Sequence, residues 1–470
     1  MASQQQHGSR GDAPVADERN AHPDATALAT QLRDKINAKS LKIGIIGLGY
    51  VGLPLAVEFG QRGIQVLGFD VDAVKTQSIR RGDNYIQDVD SGVLRQLVQD
   101  KLLDATDDFS QVNDCDVLYI CVPTPFTPNK EPDIQYILSA TGNIAAHMRP
   151  GQLVILKSTT FPNTTEGHVL PLLENERRLV GRDFFLAFSP ERIDPGNQRF
   201  NTGNTPVVVG GVTPLCTQLA AEVNELIIAE VVTVSNPKVA EMSKLLENIF
   251  RSVNIALVNE LAQLCDRMGG INVWEAIDAA STKPFGFMPF FPGPGIGGHC
   301  ILIDPYYLSW AARKDDFVTN FITLAAEVNE SMPFYVRDMI TREIARQPVT
   351  TTEARILMLG VAFKRDVDDL RHSPALKVIE LLDEDDIPNI NYFDPYVPSI
   401  RIHDRTIDSL PAIDPDVLKS YDVCVITTDH SSFDYAMIAA NSRVVIDTRN
   451  ACRNVPEADR ANVVLLGDGK

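Results

Sequence analysis

Unbroken apolar runs recur along the chain, separated by stretches of helical spacing. Residues 41–46 form one such run, ending on Gly47; residues 54–59 place apolar side chains at helical spacing; residues 65–69 form a second short run closed by Asp70. A short run without polar interruption reads as a strand buried on both faces, the habit of a parallel sheet covered by its crossover helices. Further candidates of this kind lie at 116–122, 153–156 and 184–188, and the pattern starts again at 355–360, 391–393, 421–427 and 443–447. Strands alternating with helices predict a doubly wound sheet in each half of the chain.

Between the halves, residues 238–268 contain no proline and end on Gly269-Gly270, with Leu245, Ile249, Val253, Leu257 and Leu261 at helical spacing. The spacing predicts one helix longer than the globular mean, and any apolar stripe it leaves uncovered would suit a second copy of the chain. Residues 284–294, rich in Pro, Gly and Phe, form a loop that leads to Cys300. The expected fold class is α/β: two Rossmann-like doubly wound domains joined by a long central helix. The expected boundaries are a flexible tail at 1–38, a first α/β domain at 39–232, a central helical segment at 233–335 and a second α/β domain at 336–470.

Composition narrows the function. The chain has 470 residues, 44% of them hydrophobic, enough for more than one core. Residues 1–20 are rich in Gln, Ser, Gly and Asp and have no apolar segment to act as a secretory signal or membrane span. Seven cysteines without C-x-x-C spacing argue against a disulfide framework or a structural zinc site, so no metal and a cytoplasmic setting are expected. A net charge of −19 disfavours nucleic acid and anionic membrane as partners; an anionic small substrate would need a local basic pocket.

The first strand–turn–helix carries Gly47-Leu48-Gly49-Tyr50-Val51-Gly52. Glycines at these spacings permit a tight turn, close approach of a pyrophosphate to backbone N–H groups, and packing of helix on strand. Asp70, about twenty residues on, stands where a ribose-binding carboxylate belongs, and would favour NAD by repelling the 2′-phosphate of NADP. Lys75, close by, pulls the other way and joins the cofactor-side candidates. Cys300 follows Gly297-Gly298-His299, a glycine pair that removes bulk where a ligand approaches, while His299 or a nearby lysine could raise the thiolate fraction. A thiol beside a nicotinamide site can trap an aldehyde between two oxidations. Cys115, Cys121, Cys216, Cys265, Cys424 and Cys452 lack such context and read as packing. Lys244 and Asn248 share one helix face, although by itself Lys244 reads as a solvated residue or a partner of Glu241 or Glu247. Glu191 follows a strand, at the carboxyl end of a sheet where sites form; a turn carboxylate paired with Arg192 is the alternative.

Seven markers in order give the chain its resemblance: Gly47 to Gly52, Cys121-Val122-Pro123-Thr124-Pro125, Lys157-Ser158-Thr159, Ser189-Pro190-Glu191, Lys244-Leu245-Leu246-Glu247-Asn248, Gly297-Gly298-His299-Cys300, and Phe363-Lys364 through Arg371. Over about 41–455 the chain resembles the UDP-sugar 6-dehydrogenases, which use NAD to oxidise C6 of a nucleotide sugar twice, to a uronic acid. The resemblance implies that Cys300 is the nucleophile forming a thiohemiacetal and then a thioester, and that Glu191 is the base for thioester hydrolysis. It implies that Lys244, Asn248, Asp304 and Thr159 hold the sugar oxygen and a water, with Lys244 stabilising negative charge. On the cofactor side it adds Tyr50, Val51, Thr124, Thr159 and Arg371; on the substrate side Arg192, Phe290, Gly297, Gly298 and Lys364, the last facing the UDP phosphates. It also implies that residues 39–232 bind NAD, that 233–335 form the dimer and carry the cysteine, and that 336–470 bind UDP.

Within the family, residues 158–166 and 188–197, with Ile303 before Asp304, are most similar to UDP-N-acetylglucosamine 6-dehydrogenases. The expected substrate is therefore UDP-GlcNAc and the product a precursor of surface polysaccharide such as O-antigen or capsule, with UDP-glucose, UDP-GalNAc or UDP-ManNAc as alternatives. Where related sequences place an arginine after the long helix, this chain has Lys283, which cannot repeat a bidentate contact. A homodimer or higher homo-oligomer is expected. Two readings of other kinds stay open at this point: a two-electron dehydrogenase that needs no thiol, and a non-catalytic NAD-binding regulatory protein.

Overall fold

Eight short strands, nearly all of them apolar on both faces, build the first sheet. They are β1 (Lys42–Ile46), β2 (Gln65–Phe69), β3 (Leu103–Thr106), β4 (Val117–Ile120), β5 (Leu153–Leu156), β6 (Phe185–Phe188), β7 (Val207–Gly211) and β8 (Val231–Thr233). They are known from a computed structural model that describes residues 23–86, 89–127, 129–192, 201–298 and 300–470. The order is β3-β2-β1-β4-β5-β6-β7-β8, parallel except for the antiparallel pair β6–β7. The order reverses between β1 and β4, which in such sheets opens the ligand crevice at the carboxyl ends of the strands.

The second sheet contains β9 (Ile356–Leu359), β10 (Ile390–Phe393), β13 (Val423–Ile426), β14 (Val445–Asp447) and β15 (Val463–Leu465), in the parallel order β10-β9-β13-β14-β15. A separate hairpin pairs β11 (Ser399–Ile402) with β12 (Arg405–Asp408). Alternate residues of one strand feed different cores. Ile356, Met358, Val423 and Val425 enter one cluster, and Leu357, Leu359, Cys424 and Ile426 the other. This is why these strands read as continuous apolar runs: a side-chain period of two across a sheet buried on both faces leaves no polar position.

Contacts divide the chain into two units, Met1–Pro125 with Asp133–Lys244, and Phe126–Pro132 with Leu245–Lys470. The long helix is Pro237–Met268, one residue longer at its start than the sequence suggests, with Pro237 at the first helical position where its missing N–H costs nothing. Among the described residues no helix is long and apolar enough to cross a membrane.

Two expectations need correction. The segment 1–38 is not all tail: Pro23–Ala38 is a helix that buries Ala29, Leu32 and Ile36 in the first core. Lys35 seals it with a 2.6 Å ion pair to Asp116, a carboxylate that also accepts from the Lys42 N–H at 3.0 Å and from Arg149 at 2.6 Å. Residues 1–22 lie outside the described residues. Cys300 does not sit within a loop but opens the helix Cys300–Ala312. The long helix does leave part of its apolar spacing uncovered: Leu245 is fully buried, whereas Leu257 and Leu261 are exposed.

Candidate active site

The dinucleotide turn is built from its glycines. Gly47 adopts φ +94° and its N–H donates to the Phe69 carbonyl at 2.7 Å, which closes β1 onto β2. A Cβ on Gly52 would stand 1.8 Å from the Gly47 carbonyl oxygen, so only glycine lets the helix Gly52–Gln61 start there. A Cβ on Gly49 would meet nothing within 4 Å, which leaves the backbone of the turn approachable. No side chain caps the first turn of that helix. Asp70, at the end of β2, accepts from the Leu48 N–H at 2.9 Å and the Asp72 N–H at 3.0 Å, with the Lys75 ammonium 3.4 Å away. Tyr50 is half exposed beside the turn, and Val51 is half-buried. A bent backbone, an open position at Gly49 and a carboxylate fixed at the neighbouring strand end together fit NAD, with its pyrophosphate at the turn and its ribose at Asp70.

The carboxyl ends of β4, β5 and β6 continue the site. Thr124 is buried beyond β4. After β5, the Lys157 N–H donates to the Ile120 carbonyl at 2.9 Å and the Ser158 hydroxyl to the Val122 carbonyl at 2.7 Å, which fixes the half-buried Thr159 beside them. Glu191 lies two residues past Ser189, whose N–H donates to the Leu156 carbonyl at 3.0 Å. Its Oε1 accepts from the Arg192 N–H at 2.8 Å and its Oε2 lies 3.3 Å from the Lys157 ammonium. The Arg192 guanidinium donates to the Pro206 carbonyl at 2.8 Å. The carboxylate thus pairs with Lys157, and Arg192 reaches it through the backbone.

Lys244, the last residue of the first unit, is buried to 6% exposure, and among the described residues no carboxylate stands within 4.0 Å of its ammonium. Glu241, which the sequence offers as its partner, is engaged elsewhere. It accepts from the Asn163 N–H at 2.6 Å, the Thr165 N–H at 2.8 Å and the Thr165 hydroxyl at 2.7 Å, tying the long helix to the segment after Thr159. Burial pushes the Glu241 carboxyl up to about 7, against those hydrogen bonds.

In the second unit, Asn248 is fully buried between two partners: its amide donates to Asp304, and Arg251, one turn along the long helix, donates to its oxygen. Asp304 is 2% exposed on the helix that Cys300 opens, one turn further on. His299 and the Cys300 side chain lie outside the described residues, as do residues 193–197.

Gly297 and Gly298 are glycines for a reason the sequence does not give. A Cβ on Gly297 would lie 2.5 Å from the Phe363 Cβ, and one on Gly298, at φ +82°, 2.9 Å from the Phe363 ring. The space they leave is filled by the loop that carries Lys364. Arg371 closes that loop: its carbonyl accepts from the Gly298 N–H at 2.8 Å, and its guanidinium grips Asp369 with contacts down to 2.6 Å. Lys364 is half-buried. Phe290 packs edge-on against Phe250 at 5.7 Å, and Lys283 lies over the Phe285 ring at 4.9 Å. The six other cysteines are buried and, among the described residues, form no disulfide; burial pushes the Cys115 thiol up to about 12 and that of Cys424 to about 11, which suits packing and not nucleophilic attack. Among the described residues no group of three or more His, Cys, Asp or Glu side chains could hold a metal ion.

Sequence reasoning missed Lys157, Arg251 and Glu241 as members of these constellations. Each carried a signal. Lys157 is a charge at the end of an apolar strand, and Arg251 follows Asn248 at i+3. Glu241 precedes Lys244 at the same spacing, which pointed to the wrong partner.

Comparison with known proteins gives the family. Residues 41–228, 238–331 and 357–454 match, in turn, the NAD-binding, central and UDP-binding domains of the UDP-glucose/GDP-mannose dehydrogenase family. A UDP-N-acetyl-D-glucosamine 6-dehydrogenase of Pseudomonas aeruginosa is 35% identical over 84% of this chain and 92% of its own length. An NDP-N-acetyl-D-galactosaminuronic acid dehydrogenase of Ralstonia nicotianae is 34% identical over 87% of this chain and 95% of its own. The solved UDP-D-ManNAc dehydrogenase of Pyrococcus horikoshii superposes with a TM-score of 0.82 at 33% identity, over 91% of this chain and all (100%) of that one. The chain belongs to the UDP-glucose/GDP-mannose dehydrogenase family and is, with it, an NAD-dependent UDP-sugar dehydrogenase.

Proposed function

We propose that this enzyme oxidises C6 of UDP-N-acetylglucosamine twice, giving the uronic acid through a covalent intermediate on Cys300, as a precursor of surface polysaccharide. The observation that carries the reading is the buried Asn248, held between Arg251 and Asp304, with Asp304 one turn along the helix that begins at Cys300. The likeness to the Pseudomonas aeruginosa relative, named for this sugar, supports the substrate.

When bound, NAD accepts the hydride in each oxidation. The turn at Gly47, Gly49 and Gly52, with Asp70, holds it. Thr124, Thr159 and Lys75 border the cofactor, and Lys364 faces the UDP phosphates. Lys244 stabilises negative charge at the sugar oxygen, while Asn248 and Asp304 hold that oxygen in place. Cys300 keeps the C6 aldehyde as a thiohemiacetal, so that it is not released between oxidations, and afterwards carries the acyl group as a thioester. Glu191 takes the proton of the water that hydrolyses the thioester.

The proposal includes a homodimer. Phe250, Leu257, Leu261, Leu264 and Met268 recur along the long helix at the three-and-four spacing of a helix–helix seam and are between 39% and 54% exposed, or 63% at Met268.

The test is NADH released per UDP-GlcNAc consumed, with UDP-glucose, UDP-GalNAc and UDP-ManNAc in parallel and Cys300→Ser as control. Two NADH per sugar, lost in the variant, are expected, with UDP-GlcNAc the preferred substrate. One NADH per sugar with an unaffected variant overturns the covalent mechanism, and a different preferred sugar overturns the substrate.

A further inference from the structure

At the carboxyl ends of β5 and β6 lies a charge that the chemistry above does not use. Leu156 pairs with Phe188 in register, so the residues that follow, Lys157 and Ser189, emerge side by side. The Lys157 side chain is 0% exposed. Its ammonium lies 3.3 Å from Glu191 Oε2, close enough for an ion pair but not aligned as a hydrogen bond. The Ser189 hydroxyl beside it is buried too, and neither atom finds a hydrogen-bond partner among the described residues.

Taking an ammonium out of water costs several kcal/mol, and a leucine or methionine would fill the same strand end without that penalty. The charge therefore has to act on something. Cys121, from the end of β4, also faces the pair, but burial pushes its thiol up to about 12 and keeps it neutral. Arg192 directs its guanidinium to the Pro206 carbonyl. Among the described residues Glu191 is the carboxylate within 4.0 Å of Lys157.

We infer that Lys157 is a positioning residue for Glu191. With the Arg192 N–H on Oε1 and the Lys157 ammonium against Oε2, the carboxylate is fixed in orientation. The inference rests on the proposed role of Glu191 in thioester hydrolysis. In that step the water oxygen bonds to C6, the C6–Sγ bond breaks, Cys300 leaves as thiolate, and the water proton passes to Glu191. Lys157 touches none of the reacting atoms.

The experiment compares Lys157→Met, which keeps length and volume but removes charge, with Lys157→Arg and Glu191→Gln, in the full-length enzyme. Rapid mixing with NAD and UDP-sugar is followed by acid quench and intact-mass detection of acylated Cys300, with thermal stability and NAD affinity measured alongside. Glu191→Gln is expected to keep the NADH burst, accumulate acyl-enzyme and slow steady turnover on the order of 10²-fold. Lys157→Met is expected to do the same more weakly, about tenfold, with the acidic limb of its pH–rate profile moved to higher pH; Lys157→Arg restores much of the loss. Reduced stability or NAD affinity in Lys157→Met, without acyl-enzyme and with an unmoved pH limb, overturns the inference and leaves Glu191's role standing. Absence of acyl-enzyme in Glu191→Gln overturns both. If Lys157→Met does not fold, the double variant Lys157→Met/Glu191→Gln, which leaves no unpaired charge, decides. Acyl-enzyme at the Glu191→Gln level supports action through Glu191, and a further loss of turnover overturns it.

Discussion

Two substitutions in the dinucleotide turn should separate folding from cofactor binding. In Gly52→Ala the new Cβ falls 1.8 Å from the Gly47 carbonyl oxygen, and Gly47 cannot retreat, being held at φ +94° by a 2.7 Å bond to the Phe69 carbonyl. The helix that must move instead buries Leu53, Leu55, Ala56 and Phe59 to 1% exposure or less. Overpacking of this kind costs about 1–3 kcal/mol, which lowers the melting temperature by roughly 2–10 °C and distorts the turn. In Gly49→Ala the Cβ meets nothing within 4 Å and no positive φ is violated, so folding should be unaffected or slightly improved. That methyl nevertheless occupies the approach to the backbone N–H groups. Loss of one hydrogen bond to a charged pyrophosphate, about 1.5–3 kcal/mol, weakens NAD binding by roughly 10- to 100-fold. Calorimetric titration with NAD and thermal melts of both variants read the two effects. A folded Gly49→Ala protein that binds NAD as tightly as the parent would refute the placement of the pyrophosphate, and an undiminished melting temperature in Gly52→Ala would refute the packing argument.

The Glu241 carboxyl, raised by burial from 4.5 to about 7, binds its proton more tightly in the folded chain than in the unfolded one. Stability from this site is therefore fully present below about pH 4.5 and is lost as pH rises through about 7, on the order of 3 kcal/mol. Urea unfolding followed by circular dichroism across that window should show this component in the parent and not in Glu241→Gln; a parent–variant difference independent of pH would sink it. For the proposed homodimer, Leu257→Glu puts a charge into an apolar stripe at a position 54% exposed in the single chain. Sedimentation should show the dimer dissociating at least tenfold more readily, whereas an unchanged dimer would place the interface elsewhere.

What the sequence disclosed follows from what each signal is made of. Nine strands, β1, β2, β4, β5, β6, β9, β10, β13 and β14, were legible as short, mostly apolar runs, as in 153–156, where prediction and structure coincide. The other four were not: β3 carries Asp104, β7 ends on Gly210-Gly211, β15 is three residues long, and in β8 Val232 and Thr233 are exposed. The helix Pro23–Ala38 was missed for a related reason: it presents only a narrow stripe, Ala29, Leu32 and Ile36, within a polar stretch. The helices Cys300–Ala312 and Asn320–Ala345 each carry an internal proline, Pro305 and Pro333, which obscures their individual bounds in the sequence. In the site, the glycine turn after β1 and Asp70 after β2 stand where the sequence pattern puts them. Lys244 and Glu241 do not pair as their spacing suggests, and only the fold shows the Glu241 carboxylate turned to Asn163 and Thr165.

The absence of a glycine fingerprint after β9 has a structural counterpart in the carboxylate that ends the next strand. Asp70 ends β2 and Asp394 follows β10, each the second strand of its sheet, and each accepts from the backbone of the turn after the first strand. From there they diverge. Asp70 takes two backbone N–H groups and has a lysine nearby, leaving carboxylate lone pairs for a ribose. Asp394 accepts from Val361, Ala362, Tyr396 and Val397 N–H groups and from His430 Nε2 at 3.0 Å, and its side chain is 0% exposed. Burial opposes its charge, yet the His430 imidazole and these N–H donors hold the carboxyl below the usual range. His430 in turn accepts from the Asp366 N–H at 3.0 Å, two residues from Lys364. The strand-end carboxylate that keeps acceptor capacity in the first sheet is saturated in the second, where it holds the turn that leads to Lys364. One architecture thereby leaves an acceptor beside the glycine turn of the first sheet and turns the matching carboxylate of the second into a structural lock.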